Sequence, residues 1–184
     1  AMLYPPLLSP RCALVLALAA CSAGSVRAEP AAAPLVVPDT LAERAQACTA
    51  CHGREGRATR SGYFPRIAGK PADYLLQQLV HFREGRRQNV AMQRLVQHLS
   101  DGYLRELAGY FAALEVPYPP PPLNAPAPAR GAQLVRQGDA ARRLPACTAC
   151  HGSAMTGTLP AIPGLLGLPR DYLVAQLGSW RTGQ

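Results

Sequence analysis

The sequence predicts an all-α fold built from two tandem copies of one small domain. Apolar residues recur at helical spacing, and no segment shows the convincing alternation of a strand. The pentapeptide Cys-Thr-Ala-Cys-His occurs twice, at 48–52 and 147–151, and matching residues follow each copy at an offset of 98 or 99. Such an offset indicates duplication of a whole domain, because solenoid repeats have periods of about 20–50 residues.

Three helices are predicted in the first copy. Thr40 with Glu43 fits a capping box, so the first helix should begin there and run into the pentapeptide. The second is predicted over 73–84, with Gly85 placed to end it. Ser100 should cap the third. Its apolar residues recur at helical spacing: Leu104, Leu107, Ala108, Phe111 and Leu114.

The second copy repeats only part of this pattern. Counterparts of the first two helices are predicted around 131–137 and over 171–180, and the sequence then stops at Gln184. Two explanations stay open: the sequence is a piece of a longer chain, or the second copy lacks the last helix. The predicted divisions are a targeting segment at 1–28, a first domain at 38–116, a proline-rich extended linker at 117–128 and a truncated second domain at 129–184.

The first 28 residues resemble an export signal. Arg11 precedes a short apolar stretch, and 26–28 reads as a small-residue cleavage site. A second interpretation competes, because 18–21 resembles a bacterial lipobox ending at residue 20, after which Cys21 would carry a lipid anchor. No apolar run reaches the ~18 residues needed to span a membrane. We therefore expect a periplasmic protein, either soluble or lipid-anchored.

The charge of the chain excludes little by itself. The formal net charge is +8, and the basic residues are nearly all arginines scattered along the sequence. Nucleic-acid binding would favour dense basic runs, so no nucleic-acid partner is predicted.

The repeated pentapeptide is the attachment signature of c-type haem. Two thiols three residues apart sit on one helical turn and can bond the two vinyl-derived carbons of a haem, and the adjacent imidazole can then ligate the iron. A thioredoxin-like motif would need a βαβ setting, and a zinc site would need the two cysteine pairs together. The sequence predicts two covalently bound haem c groups, attached at Cys48, Cys51, Cys147 and Cys150 and ligated by His52 and His151.

Over residues 38 to 184 these motifs resemble the class I cytochrome c fold, and their tandem arrangement resembles the diheme cytochrome c4 family. Besides the pentapeptides, the resemblance rests on the Pro-x-[Ile/Leu]-x-Gly segments at 65–69 and 163–167 and on the Tyr-Leu…Gln-Leu helices. It implies that a backbone carbonyl near Pro65 and near Pro163 orients each imidazole by a hydrogen bond.

The resemblance also implies a distal iron ligand. Met92 lies 40 residues after His52, between two predicted helices, and is the candidate for the first haem. Its thioether would raise the reduction potential. His81 and His98 are weaker rivals. The second copy offers only Met155, too close to His151 to be expected on the opposite face of the haem.

The function implied is electron transport rather than enzymatic catalysis. The expected partners are redox proteins: a quinol-oxidising complex or a dehydrogenase upstream and a terminal oxidase downstream. Two alternatives stay open. A diheme peroxidase-like enzyme would use an open second haem, and a permanent cytochrome subunit would remain bound to a dehydrogenase complex.

Overall fold

A computed structural model of the chain describes residues 38–119 and 128–183. The predicted export signal at 1–28 and the alternative lipid anchor at Cys21 lie outside this range, as does most of the predicted proline-rich linker. Among the described residues, no helix combines the length and apolar character needed to cross a bilayer.

The first copy is a four-helix unit, and its three predicted helices are confirmed. The side chain of Thr40 accepts a hydrogen bond from the Glu43 amide, and Ser100 caps its helix in the same way. Gly85 follows the second helix in the left-handed conformation expected of a stop, with φ 73°. The helices are α1 (Leu41–His52), α2 (Ala72–Arg83), α3 (Val90–Val96) and α4 (Asp101–Ala112).

Helix α3 was not predicted. Met92 was expected in a connecting stretch, but it lies in the first turn of this seven-residue helix. The side chain of Asn89 caps α3 by accepting a hydrogen bond from the Met92 amide at 3.0 Å. The sequence pattern that could have predicted α3 is an Asn, a common capping residue, directly before a short apolar run.

The core of the first copy forms where α4 crosses α1 and α2. Leu104 of α4 is completely buried, as its place in the predicted apolar face requires. One cluster joins α1, α2 and α4 through Ala45, Leu75 and Phe111. A second cluster brings Leu104 together with residues of α2 and α3: Phe82 and Val96 are its other buried members.

The second copy differs from the first ahead of its pentapeptide. Where α1 is continuous, the second copy has α5 (Ala129–Gln137), a loop and then α6 (Cys147–His151). A short antiparallel hairpin of β1 (Gly157–Thr158) and β2 (Ile162–Pro163) follows, although no strand was predicted. Each strand has only two residues, which is too short to show the alternation of apolar and polar residues by which strands are predicted. The last helix is α7 (Arg170–Thr182).

Helix α7 leaves its apolar side uncovered within the described residues. Val174, Leu177 and Trp180 are 58%, 59% and 69% exposed. Their counterparts in α2 are Leu76, Leu79 and Phe82, which pack into the clusters that α4 completes. These three residues of α7 thus correspond to the face of α2 that packs against α3 and α4 in the first copy.

Candidate haem-binding sites

Each cysteine pair lies on one helical face next to its histidine. Cys48 and Cys51 lie in the last turns of α1, and Cys147 and Cys150 lie in α6. Residues three apart on a helix are neighbours on the surface, so both thiols of a pair point to the same side. None of these four cysteines is in a disulfide. Burial raises the pKa of the Cys48 thiol, and the nearby Cys51 raises it further.

Both histidines are oriented by a proline carbonyl, as the family resemblance implied. The distance from Nδ1 of His52 to the Pro65 carbonyl oxygen is 2.8 Å, and that from Nδ1 of His151 to the Pro163 carbonyl oxygen is 2.7 Å. A carbonyl oxygen can only accept, so Nδ1 carries the proton and donates it. This leaves Nε2 of each ring as the nitrogen available to a metal.

His52 is held in its neutral form as well as in a fixed orientation. The side chain is 7% exposed. Burial lowers the pKa of His52, against the opposing effect of the hydrogen bond to Pro65, and the nearby positive charge of Arg87 lowers it further. A neutral imidazole with a free Nε2 is the form that ligates iron.

Backbone hydrogen bonds bring Pro65 to His52. Gly53 ends α1 with φ 79°, and a Cβ there would lie 2.3 Å from the Ala58 carbonyl oxygen. Only glycine fits this turn. After it, the Gly56 carbonyl accepts hydrogen bonds from the amides of Ile67 and Ala68 at 2.8 and 3.0 Å. The residues just after Pro65 are thereby fastened beside the end of α1.

The second copy uses the same arrangement with Met155 in the place of Gly56. The Met155 carbonyl accepts hydrogen bonds from the amides of Leu165 and Leu166 at 2.8 and 2.9 Å. Met155 adopts the left-handed conformation with φ 57°, as the equivalent glycine does. Its backbone therefore anchors the Pro163 segment.

Met92 is half-buried and packs against the cluster of Phe82, Val96 and Leu104. It shares no hydrogen bond or apolar cluster with His52 among the described residues. Of its rivals, His81 is half-buried within α2, and His98 is exposed.

An arginine that the sequence reasoning missed joins the two copies. The Arg87 guanidinium donates to the side-chain oxygens of Gln78 at 2.8 Å and Gln176 at 3.0 Å, and to the Tyr172 hydroxyl at 2.7 Å. Gln78 and Gln176 are equivalent positions of the two copies. The Tyr-Leu…Gln-Leu repeat placed these residues in the sequence, but gave no sign that the two helices meet.

Two buried cations were also missed. Arg66 is 2% exposed and donates to carbonyl oxygens of Ala68, Val116 and Pro117, which fastens the beginning of the linker to the first copy. Lys70, also 2% exposed, donates to the Gly164 carbonyl of the second copy. Burial, with the neighbouring charge of Arg66, lowers the pKa of Lys70 to about 8.

The donor set of each copy fits a covalently attached haem: two cysteine thiols on one helical face, followed by an imidazole whose Nδ1 is fixed by a carbonyl. The fold and these sites define a class I c-type cytochrome with two haem-binding domains in tandem.

Comparison with known proteins identifies the family. No protein-family model matches the chain. It is 36% identical over 140 residues to a thiosulfate dehydrogenase electron acceptor of Thiomonas intermedia, covering 76% of this chain and 64% of that protein. It is also 36% identical over 143 residues to cytochrome c4 of Pseudomonas aeruginosa, covering 76% of this chain and 69% of that one. The chain belongs to the cytochrome c4 family.

A solved structure agrees with this assignment. Cytochrome c4 of Acidithiobacillus ferrooxidans superimposes with a TM-score of 0.67 at 30% identity, over 76% of this chain and 83% of that one. The all-α fold of two class I domains and the cofactors, two covalently bound haem c groups, are those of the family. The chain spans about two thirds of the length of the curated relatives it matches.

Proposed function

We propose that this protein is a periplasmic diheme electron carrier and not an enzyme. The observation that carries the proposal is the pair of imidazoles, each beside a cysteine pair and each with Nδ1 committed to a proline carbonyl. When bound, haem iron supplies one-electron exchange between its ferric and ferrous states. The relatives from Thiomonas intermedia and Pseudomonas aeruginosa, an electron acceptor and a cytochrome c4, support a carrier rather than a peroxidase.

The side chains divide the task of holding the two haems. Cys48 and Cys51 attach the first, and Cys147 and Cys150 attach the second. His52 and His151 ligate the iron atoms through Nε2. Met92 is the proposed distal ligand of the first haem, since its soft thioether is half-buried and packs against an apolar cluster.

The proposed redox partners are proteins. A dehydrogenase is the upstream candidate, because one relative is named an electron acceptor of thiosulfate dehydrogenase. A quinol-oxidising complex upstream and a terminal oxidase downstream are the other candidates. Encounters of this kind bury little surface and are transient, which suits a protein that must release each partner after one electron.

Reduction by a dehydrogenase tests the carrier role. We would mix the haem-loaded ferric protein with thiosulfate dehydrogenase and thiosulfate, and follow haem reduction by visible spectroscopy. The expected result is full reduction of both haems that reverses on adding an oxidase, with negligible peroxide turnover. Rapid peroxide turnover without net electron delivery to either protein would contradict the proposal.

The ligand role of Met92 is tested by spin state. In electron paramagnetic resonance of the ferric protein, Met92→Ala should convert a low-spin signal to high-spin. Met155→Ala is the matched control and should leave the spectrum unchanged. Conversion by His81→Ala or His98→Ala instead would assign the ligand to that histidine.

A further inference from the structure

The loop at 138–146, which interrupts the second copy ahead of its pentapeptide, is an ordered structure. Asp139 and Leu144 exchange both backbone hydrogen bonds, at 2.8 and 2.9 Å. The Asp139 carboxylate also accepts from the Arg142 amide at 3.2 Å. Gly138 closes the loop, since a Cβ there would lie 2.3 Å from the Leu144 carbonyl oxygen. The loop therefore holds its tip in one conformation.

The tip presents two adjacent arginines. Arg142 and Arg143 are exposed, and Arg143 adopts the left-handed conformation with φ 55°. Within the described parts of the chain, neither side chain forms an ion pair. Arg130 and Arg136 on α5 are likewise exposed and outside those ion pairs.

This part of the chain is strongly basic. Residues 129–146 contain four arginines and only one acidic residue, Asp139. The carboxylate of Asp139 accepts a hydrogen bond from the Arg142 amide within the loop. The loop ends directly before Cys147, and Cys150 of the same pair is exposed. The positive charge is therefore concentrated in the segment that leads directly into the cysteine pair of the second copy.

We propose that the loop at 138–146 is a docking surface for an acidic patch on a protein that exchanges electrons with the second haem. This inference rests on the proposed carrier function. Free positive charges on a rigid support attract an acidic partner over a distance and orient it, and both effects raise the association rate. Placement directly before the haem-attachment cysteines brings the partner to the site where an electron passes.

The test compares two oxidants of the fully reduced protein by stopped-flow spectroscopy. One is cupric plastocyanin, an acidic protein, and the other is the cation tris(phenanthroline)cobalt(III). In each case one ferrous haem gives one electron to one metal ion of the oxidant. With Arg142→Gln/Arg143→Gln, the rate constant with plastocyanin should fall about 3- to 10-fold at low salt, and the difference should disappear at high salt. The rate with the cobalt complex should not fall.

Three further measurements make the result decisive. Arg142→Lys/Arg143→Lys keeps both charges and should restore the rate with plastocyanin. Arg60→Gln/Arg105→Gln removes two exposed arginines of the first copy and should leave it unchanged. Thermal unfolding of all variants should coincide, because the side chains of Arg142 and Arg143 form no hydrogen bond among the described residues.

The outcomes separate this inference from the carrier function. If the unaltered protein passes electrons to neither oxidant, the carrier function fails. If it reacts rapidly with both while the glutamine variant matches it at every salt concentration, the docking surface alone is overturned. Loss of binding to phosphatidylglycerol vesicles in that variant, with unchanged electron-transfer rates, would assign the loop to a membrane surface and also overturn the proposal.

Discussion

Replacing Arg87 by glutamine should loosen the contact between the two copies and lower the reduction potential of the haem at His52. The guanidinium donates three hydrogen bonds to Gln78, Tyr172 and Gln176. It also lies over the Phe82 ring, 4.6 Å from the centroid. The first and last of these acceptors belong to different copies, so a single side chain links both.

The expected magnitudes follow from these contacts. A hydrogen bond from a charged donor contributes about 1.5–3 kcal/mol, but bonds that share one group are not additive. We expect a loss of roughly 2–4 kcal/mol in the free energy of unfolding. Removing a positive charge near His52 favours ferric iron by on the order of 1 kcal/mol at an effective dielectric constant of about 20. For a one-electron couple this is about 40 mV.

Spectroelectrochemical titration of the two haems gives the potentials, and urea unfolding gives the stability. Arg87→Gln should shift the haem at His52 downward and destabilise the protein. Arg87→Lys keeps the charge without the fork of donors, so it should restore most of the potential and little of the stability. Gln176→Leu removes an acceptor but no charge, and should affect stability alone. A potential unchanged in Arg87→Gln would refute the electrostatic part of this reasoning.

Two further predictions concern the interface and the second copy. The pKa of Lys70 in the folded protein is about 8, below its ordinary value of about 10.4. Between pH 8 and about 10.4 the unfolded chain therefore binds more protons than the folded protein. The free energy of unfolding should rise with pH across this window. Urea unfolding at several pH values should show this rise, and an identical rise in Lys70→Met would contradict it. Limited proteolysis should digest 129–184 before 38–116, because no apolar side chain described in the second copy is fully buried; sparing of 129–184 would reverse this view.

The parts of the fold that the sequence predicted are those fixed by local chemistry. Thr40 and Ser100 cap helices because a side-chain oxygen next to an apolar periodic run satisfies free amides, whatever lies further away. The cysteine and histidine spacing likewise needs only one helical turn. Helix α3 escaped prediction because seven residues hold too few turns to show a period.

The residues that were missed act between distant parts of the chain. Arg66, Lys70 and Arg87 looked like scattered surface charges in the sequence. Arg66 and Lys70 are buried, and carbonyl oxygens distant in the sequence accept hydrogen bonds from them. Arg87 is half-buried and donates to glutamines of two different copies. Nothing in the local pattern around a basic residue reveals such acceptors.

The two glutamines that share Arg87 have a consequence for how the copies stay together. In an isologous dimer interface, equivalent positions of the two partners meet because both partners use the same surface. The contact between Gln78 and Gln176 through Arg87 has this geometry. Here the two copies belong to one chain, so their contact is intramolecular and each copy meets the other at a high effective concentration. The covalent connection therefore supplements the hydrogen bonds that Arg87 makes to both copies.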